Sequence, residues 1–104
     1  MAIKTRRPAI PILTRLVDAQ AMHAEHPDTF DAPTAHELAT ITPGTYIKVS
    51  RNNERFWMMV EGGTGRYLIA SVQNQLLMSQ YEPGTMFRVE PRHVFIIDKP
   101  ARVQ

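Results

Sequence analysis

The stretch Arg55-Phe56-Trp57-Met58-Met59-Val60-Glu61, followed by Gly62-Gly63-Thr64-Gly65 and a second apolar run from Arg66, decides the architecture of this chain. Aromatic and branched residues suit a pleated, half-buried surface, and a glycine cluster between two such runs gives a connection its backbone freedom. Arg55 to Glu61 therefore reads as the middle strand of a small β-domain. Four further strands are predicted around it, at Thr45 to Arg51, Arg66 to Val72, Thr85 to Glu90 and Val94 to Asp98. Their links are short. Asn52-Asn53-Glu54, Gly62 to Gly65 and Glu82-Pro83-Gly84 read as turns, Gln73 to Gln80 as one helical turn, and Pro91-Arg92-His93 as a 3₁₀ turn. Five short strands so spaced favour a bent barrel over a flat sheet, because closure protects edges that an open sheet exposes. The predicted class is α+β, mainly β: a small five-stranded, partly open barrel, SH3-like first and OB-like second, with an N-terminal helix.

Working outward, residues 1–10 are basic, hold no sustained period and read as a flexible arm. Residues 11–43 read as a helical N-terminal segment with a proline-rich linker. Pro11 can open a helix, and Ile12, Leu13, Leu16, Val17 and Ala21 share a helical face, which predicts a helix from about Pro11 to Ala24. His26-Pro27-Asp28 ends it. Thr34-Ala35-His36-Glu37 then matches the capping box, in which the threonine oxygen and the glutamate satisfy each other's free backbone amides. The barrel occupies residues 44–98, and residues 99–104 form a tail.

A length of 104 residues supports one modest core. Hydrophobic residues make up 43% and charged residues 21%, so the chain should fold rather than remain disordered. The formal net charge of +2 is too small to diagnose nucleic-acid binding by itself. There is no cysteine, which removes disulfides, thiolate metal sites and cysteine nucleophiles. Pro8, Pro11 and Arg15 interrupt the only stretch that imitates a secretory signal, and no apolar run approaches the ~20 residues that cross a bilayer. The expectation is a cytoplasmic protein that does not engage membranes.

Alternation places Ile47, Val49, Phe56, Met58, Val60, Phe87, Val89, Phe95 and Ile97 on one face as core. The opposite face then carries Tyr46, Lys48, Trp57, Met59 and Arg88, an aromatic and basic set unusual for a solvated surface. Two readings compete for it. The N-terminal helix covers it through Ile12, Leu16 and Val17, or it is left to a protein partner.

Motifs for catalysis are weak throughout. His36-Glu37 lacks the second histidine of a zinc-protease helix, since position 40 is threonine. His23 and His26 share a metal-compatible spacing, but Pro27 places them at a helix end. His93 reads as a satisfied turn histidine. The glycines before Arg66 lack the lysine and following helix of a phosphate loop, and Ser50, Ser71 and Ser79 lack a nucleophile elbow. The prediction is therefore no enzyme and no cofactor or metal. Nucleic acid is the alternative partner, with Arg51, Arg55, Arg66 and Arg92 on phosphates and an aromatic ring on a base.

Residues 41–97 also resemble a group of small, largely uncharacterised bacterial domains centred on a strand reading Glu-Arg-Phe-Trp-Val. The matching run here is Glu54-Arg55-Phe56-Trp57-Met58, preceded by Pro43-Gly44 and Tyr46-Ile47-Lys48-Val49. The likeness continues through Val72, Asn74, Leu76, Tyr81, Gly84 and Phe87 to His93-Val94 and Ile96. It departs at Ala70-Ser71, where such domains tend to show glycine, and at Thr85, where they tend to show an acid. Some relatives look like immunity proteins that neutralise a toxin by binding it. The resemblance implies a non-catalytic binding module, an immunity-type or phage-type inhibitor or accessory protein, with no catalytic set to carry over.

Overall fold

The computed structural model describes residues 9–64 and 66–99; residues 1–8 of the expected arm over 1–10 and residues 100–104 of the expected tail over 99–104 lie outside them, while Ile10, expected in the arm, accepts from Arg88. Two short helices, α1 (Ala19–Glu25) and α2 (Ala35–Leu38), precede five strands: β1 (Tyr46–Arg51), β2 (Glu54–Thr64), β3 (Tyr67–Val72), β4 (Met86–Val89) and β5 (Ile96–Asp98). All pair antiparallel in one sheet of order β4-β3-β2-β1-β5. A 3₁₀ turn at Pro91–His93 returns the chain to β1.

Alternation sets the core. Ile97, Ile47, Met58 and Val72 stand opposite one another across four strands, and Val60, Ala70 and Phe87 form a second row. Ile47, Met58 and Val72 are fully buried, while Ile97 packs half-buried at the margin. The remaining expected core residues are buried as well, joined by Leu13, Leu76 and Val94.

Local chemistry fixes the connections. Asn52 and Asn53 both take positive φ, 53° and 62°, as a two-residue primed turn requires, and asparagine tolerates that region best after glycine. The capping box at Thr34 and Glu37 forms in both directions, at 3.1 and 3.0 Å. Between Val60 and Gly62 the register with β3 shifts, leaving Glu61 as the extra residue of a bulge, which bends β2. The strand continues through Gly62 and Gly63 to Thr64, so these glycines extend the ladder instead of forming the expected turn.

The N-terminal helix is the main correction. Only Ala19–Glu25 is helical, with Asp18 as its N-cap; residues 10–17 run as an extended strap. The Arg88 N–H donates to the Pro11 carbonyl at 2.8 Å and the Leu13 N–H to the Arg88 carbonyl at 3.0 Å, so the strap lies parallel against β4. Arg15 then turns the chain at φ 65°, and Val17 N–H reaches the Ser50 carbonyl at 2.9 Å beside the end of β1. Strand edges left without partners expose rows of polar groups, and the strap satisfies part of two such edges. Residues Gln73 to Gln80 likewise form no helical turn but an irregular loop.

Candidate partner-binding face

The outward-pointing residues of the sheet make one face. Asp98, Tyr46, Met59 and Met86 cross it in one row, interrupted at Ser71, which is buried beneath Gln73, and Ile96, Lys48 and Trp57 lie in the next. Lys48 and Trp57 are direct cross-strand partners, with the Lys48 ammonium 5.0 Å from the indole centroid. Such a contact neutralises no charge but gives the cation a favourable site on the ring.

The expected helical cover does not lie on this face. Leu13 is buried in the core, Leu16 packs against its margin, Ile12 is 44% exposed, and α1 packs on the 3₁₀ turn. Tyr46, Lys48, Trp57 and Met59 are half-buried, and Tyr46 and Trp57 border a cavity of about 280 Å³ with Gln73, Asn74 and Asp98. Four of the five expected face residues are thus brought together. Arg88 is apart: its Nε–H donates to the Ile10 carbonyl at 2.7 Å and its guanidinium lies 5.2 Å from the Tyr67 ring.

The alternative arginine set is dispersed. Arg51 is buried, donating from Nε to the Thr14 carbonyl at 2.9 Å and from its terminal nitrogen to Ser79 Oγ. Arg55 stacks on Phe95, with 4.6 Å from guanidinium carbon to ring centroid. Arg66 stacks on Tyr67 beyond the far end of β2. Arg92 pairs with Glu90 at 2.6 Å and Asp18 at 3.4 Å. No single track joins these four side chains.

Sequence reasoning missed the loop that flanks Trp57. Asn74 Oδ1 accepts the Trp57 N–H at 2.7 Å, and the Trp57 carbonyl accepts the Gln73 N–H at 3.0 Å, so the loop extends the β3 edge by side-chain mimicry. Glu54 accepts from two consecutive backbone amides, Leu77 at 2.7 Å and Met78 at 3.0 Å. Leu76 is buried beneath them, yet Leu77 is 87% and Met78 61% exposed. The loop thus meets the aromatic face through Gln73 and Asn74, and further along, where Glu54 pins its backbone, it displays two large apolar side chains. The only advance signal was an apolar Leu-Leu-Met run inside a polar connection.

The histidines offer little chemistry. His23 Nδ1 donates to the Phe30 carbonyl at 2.7 Å, which assigns the imidazole a structural role, and His36 is exposed. His93 departs from the expectation of a satisfied turn residue: its Nδ1 is buried without a hydrogen-bond partner. Burial pushes its pKa below the usual range, and Arg92 adds to the effect, against smaller opposing effects of Glu90 and Asp18. Among the described residues, no group of three His, Asp or Glu side chains converges as a metal site, and no helix is long and apolar enough to cross a membrane. Compared with family models, curated proteins and solved structures, the chain finds no match in any of the three.

Proposed function

We propose that this chain is a non-catalytic binding module of the cytoplasm, acting through a protein interface formed by Tyr46, Trp57 and Met59 and extended by Leu77 and Met78. The observation that carries the reading is a half-buried aromatic face on which neither helix lies, bordered through Gln73 and Asn74 by a loop whose backbone is pinned while its Leu77 and Met78 side chains stay in water. A loop whose backbone is already ordered pays less ordering entropy on binding, and aromatic anchors dominate interface energetics. An inhibitor or accessory protein of the immunity or phage type would use such a surface. The meander of β1 to β4, with β5 returning beside β1 after a 3₁₀ turn, supports the SH3-like reading over the Greek-key order of an OB-fold. The dispersed arginines weaken the nucleic-acid alternative, which predicts binding that falls steeply with salt.

The test uses immobilised wild-type, Trp57→Ala and Leu77→Ser proteins, each first shown to unfold cooperatively, presented to a lysate of the source organism. A partner retained by the wild type should be bound at least about thirtyfold less tightly by Trp57→Ala, the scale of a hot-spot residue. If Trp57→Ala does not fold, or if both variants retain the same partner equally, the site is wrong.

A further inference from the structure

The cavity beside Trp57 has a more specific chemistry than a general apolar contact. Asp98 lies on the β5 side of Tyr46, its direct cross-strand neighbour, while Gln73 and Asn74 lie on the β3 side of Trp57. Two aromatic side chains therefore line the middle of a groove with a carboxylate at one end and amides at the other. Among the described residues, no basic group comes within ion-pair distance of the Asp98 carboxylate. Gln73 donates its amide nitrogen to Ser71 Oγ at 2.9 Å, which leaves its amide oxygen as a further acceptor. The groove thus offers ring faces, an anionic acceptor, a neutral acceptor and the amide nitrogen of Asn74, whose oxygen already accepts from Trp57.

We infer that this groove receives the guanidinium of an arginine side chain carried by the protein partner. A planar, weakly hydrated cation matches aromatic walls by stacking and matches a carboxylate through paired N–H donors. The Lys48 ammonium already lies 5.0 Å from the Trp57 ring centroid, a distance at which a cation is attracted to the ring. A purely apolar plug would desolvate Asp98 without replacing its hydrogen bonds, and an acidic group would meet it as a like charge. Lys48 then acts as an internal competitor, because its ammonium occupies the same ring and repels an incoming cation. The inference rests on the interface reading above and adds the chemical class of the group that enters it.

Titration of the isotopically labelled full chain with N-acetylarginine methylamide, followed by the Trp57 indole N–H resonance, tests this directly. The expected result is a saturable shift with a Kd on the order of millimolar. The neutral isostere N-acetylcitrulline methylamide should bind at least about fivefold more weakly, Asp98→Asn should lose a similar factor, and Lys48→Met should gain about twofold. Preserved resonance dispersion shows that both variants fold. Absence of a saturable shift, or equal binding of arginine and citrulline, overturns the inference. If arginine fails while Trp57→Ala still abolishes partner retention, the interface stands and only the guanidinium assignment falls; the reverse pattern removes the interface and leaves a cation site.

Discussion

His93 shows how a single side chain makes the stability of this domain depend on pH. It ends the 3₁₀ turn that packs against α1, and its Nδ1 is buried without a hydrogen-bond partner. The neutral ring tolerates that position, since the tautomer protonated on Nε2 leaves only a lone pair at Nδ1. The imidazolium would bury an unpaired N–H and a charge beside Arg92, with Glu90 and Asp18 compensating only in part. The folded pKa lies below the unfolded one, so the unfolded chain takes up the proton first as pH falls. The contribution of His93 is fully present above about pH 6.5 and is lost as the pH falls through the lower folded value. Urea midpoints for wild type and His93→Leu, taken at about pH 7.5 and about pH 5.5, should drop more for the wild type. Equal drops would show that His93 is protonated freely in the folded protein.

At the scale of elements, the loop after β3 owes its shape to one carboxylate. Glu54 opens β2 yet binds the amides of Leu77 and Met78, so it couples two segments far apart in the chain. Glu54→Ala should cost about 1 kcal/mol, because hydrogen bonds to a charged group are worth more than neutral ones but these are partly solvated. Amide exchange at Leu77 and Met78 should accelerate before exchange at core positions does; unchanged exchange there would mean that Leu76 alone holds the loop. This coupling also explains what could be read from the sequence. Strand positions were legible because alternation is a local pattern, as was the capping box. The strap was misread as helix because Ile12, Leu13, Leu16 and Val17 satisfy a helical face equally well, and only the unpaired edges of β4 and β1 decide between the two states. Of the candidate face, Tyr46, Lys48, Trp57 and Met59 followed from alternation. Asp98, Gln73, Asn74 and the Leu77-Met78 tip depend on cross-strand neighbours and long-range hydrogen bonds, which no sequence period encodes.

For the whole molecule, Arg51 is the point where three parts meet. It ends β1, donates to Thr14 of the strap and to Ser79 of the loop, and stacks 5.3 Å from the Tyr81 ring. At 8% exposure, no carboxylate among the described residues lies within ion-pair distance of its guanidinium. The desolvation of a lone cation is therefore offset by directed hydrogen bonds and an aromatic face. Arg51→Lys keeps the charge but supplies a compact ammonium that cannot present the guanidinium's planar fork to both the strap and the loop. We expect the substitution to cost about 2 kcal/mol in urea denaturation, the scale of hydrogen bonds to a buried charged group. A purely electrostatic phosphate contact would instead be conserved by lysine, leaving stability unchanged. Far-UV dichroism and Trp57 emission should lose their transitions together in both proteins, since the strap, the loop and the sheet share one core through Leu13 and Leu76. If the variant unfolds in two separated steps, Arg51 is what makes the strap and sheet one cooperative unit; if its midpoint does not move, the hydrogen bonds from Arg51 contribute nothing net and the strap is held by Leu13 and its backbone ladder alone.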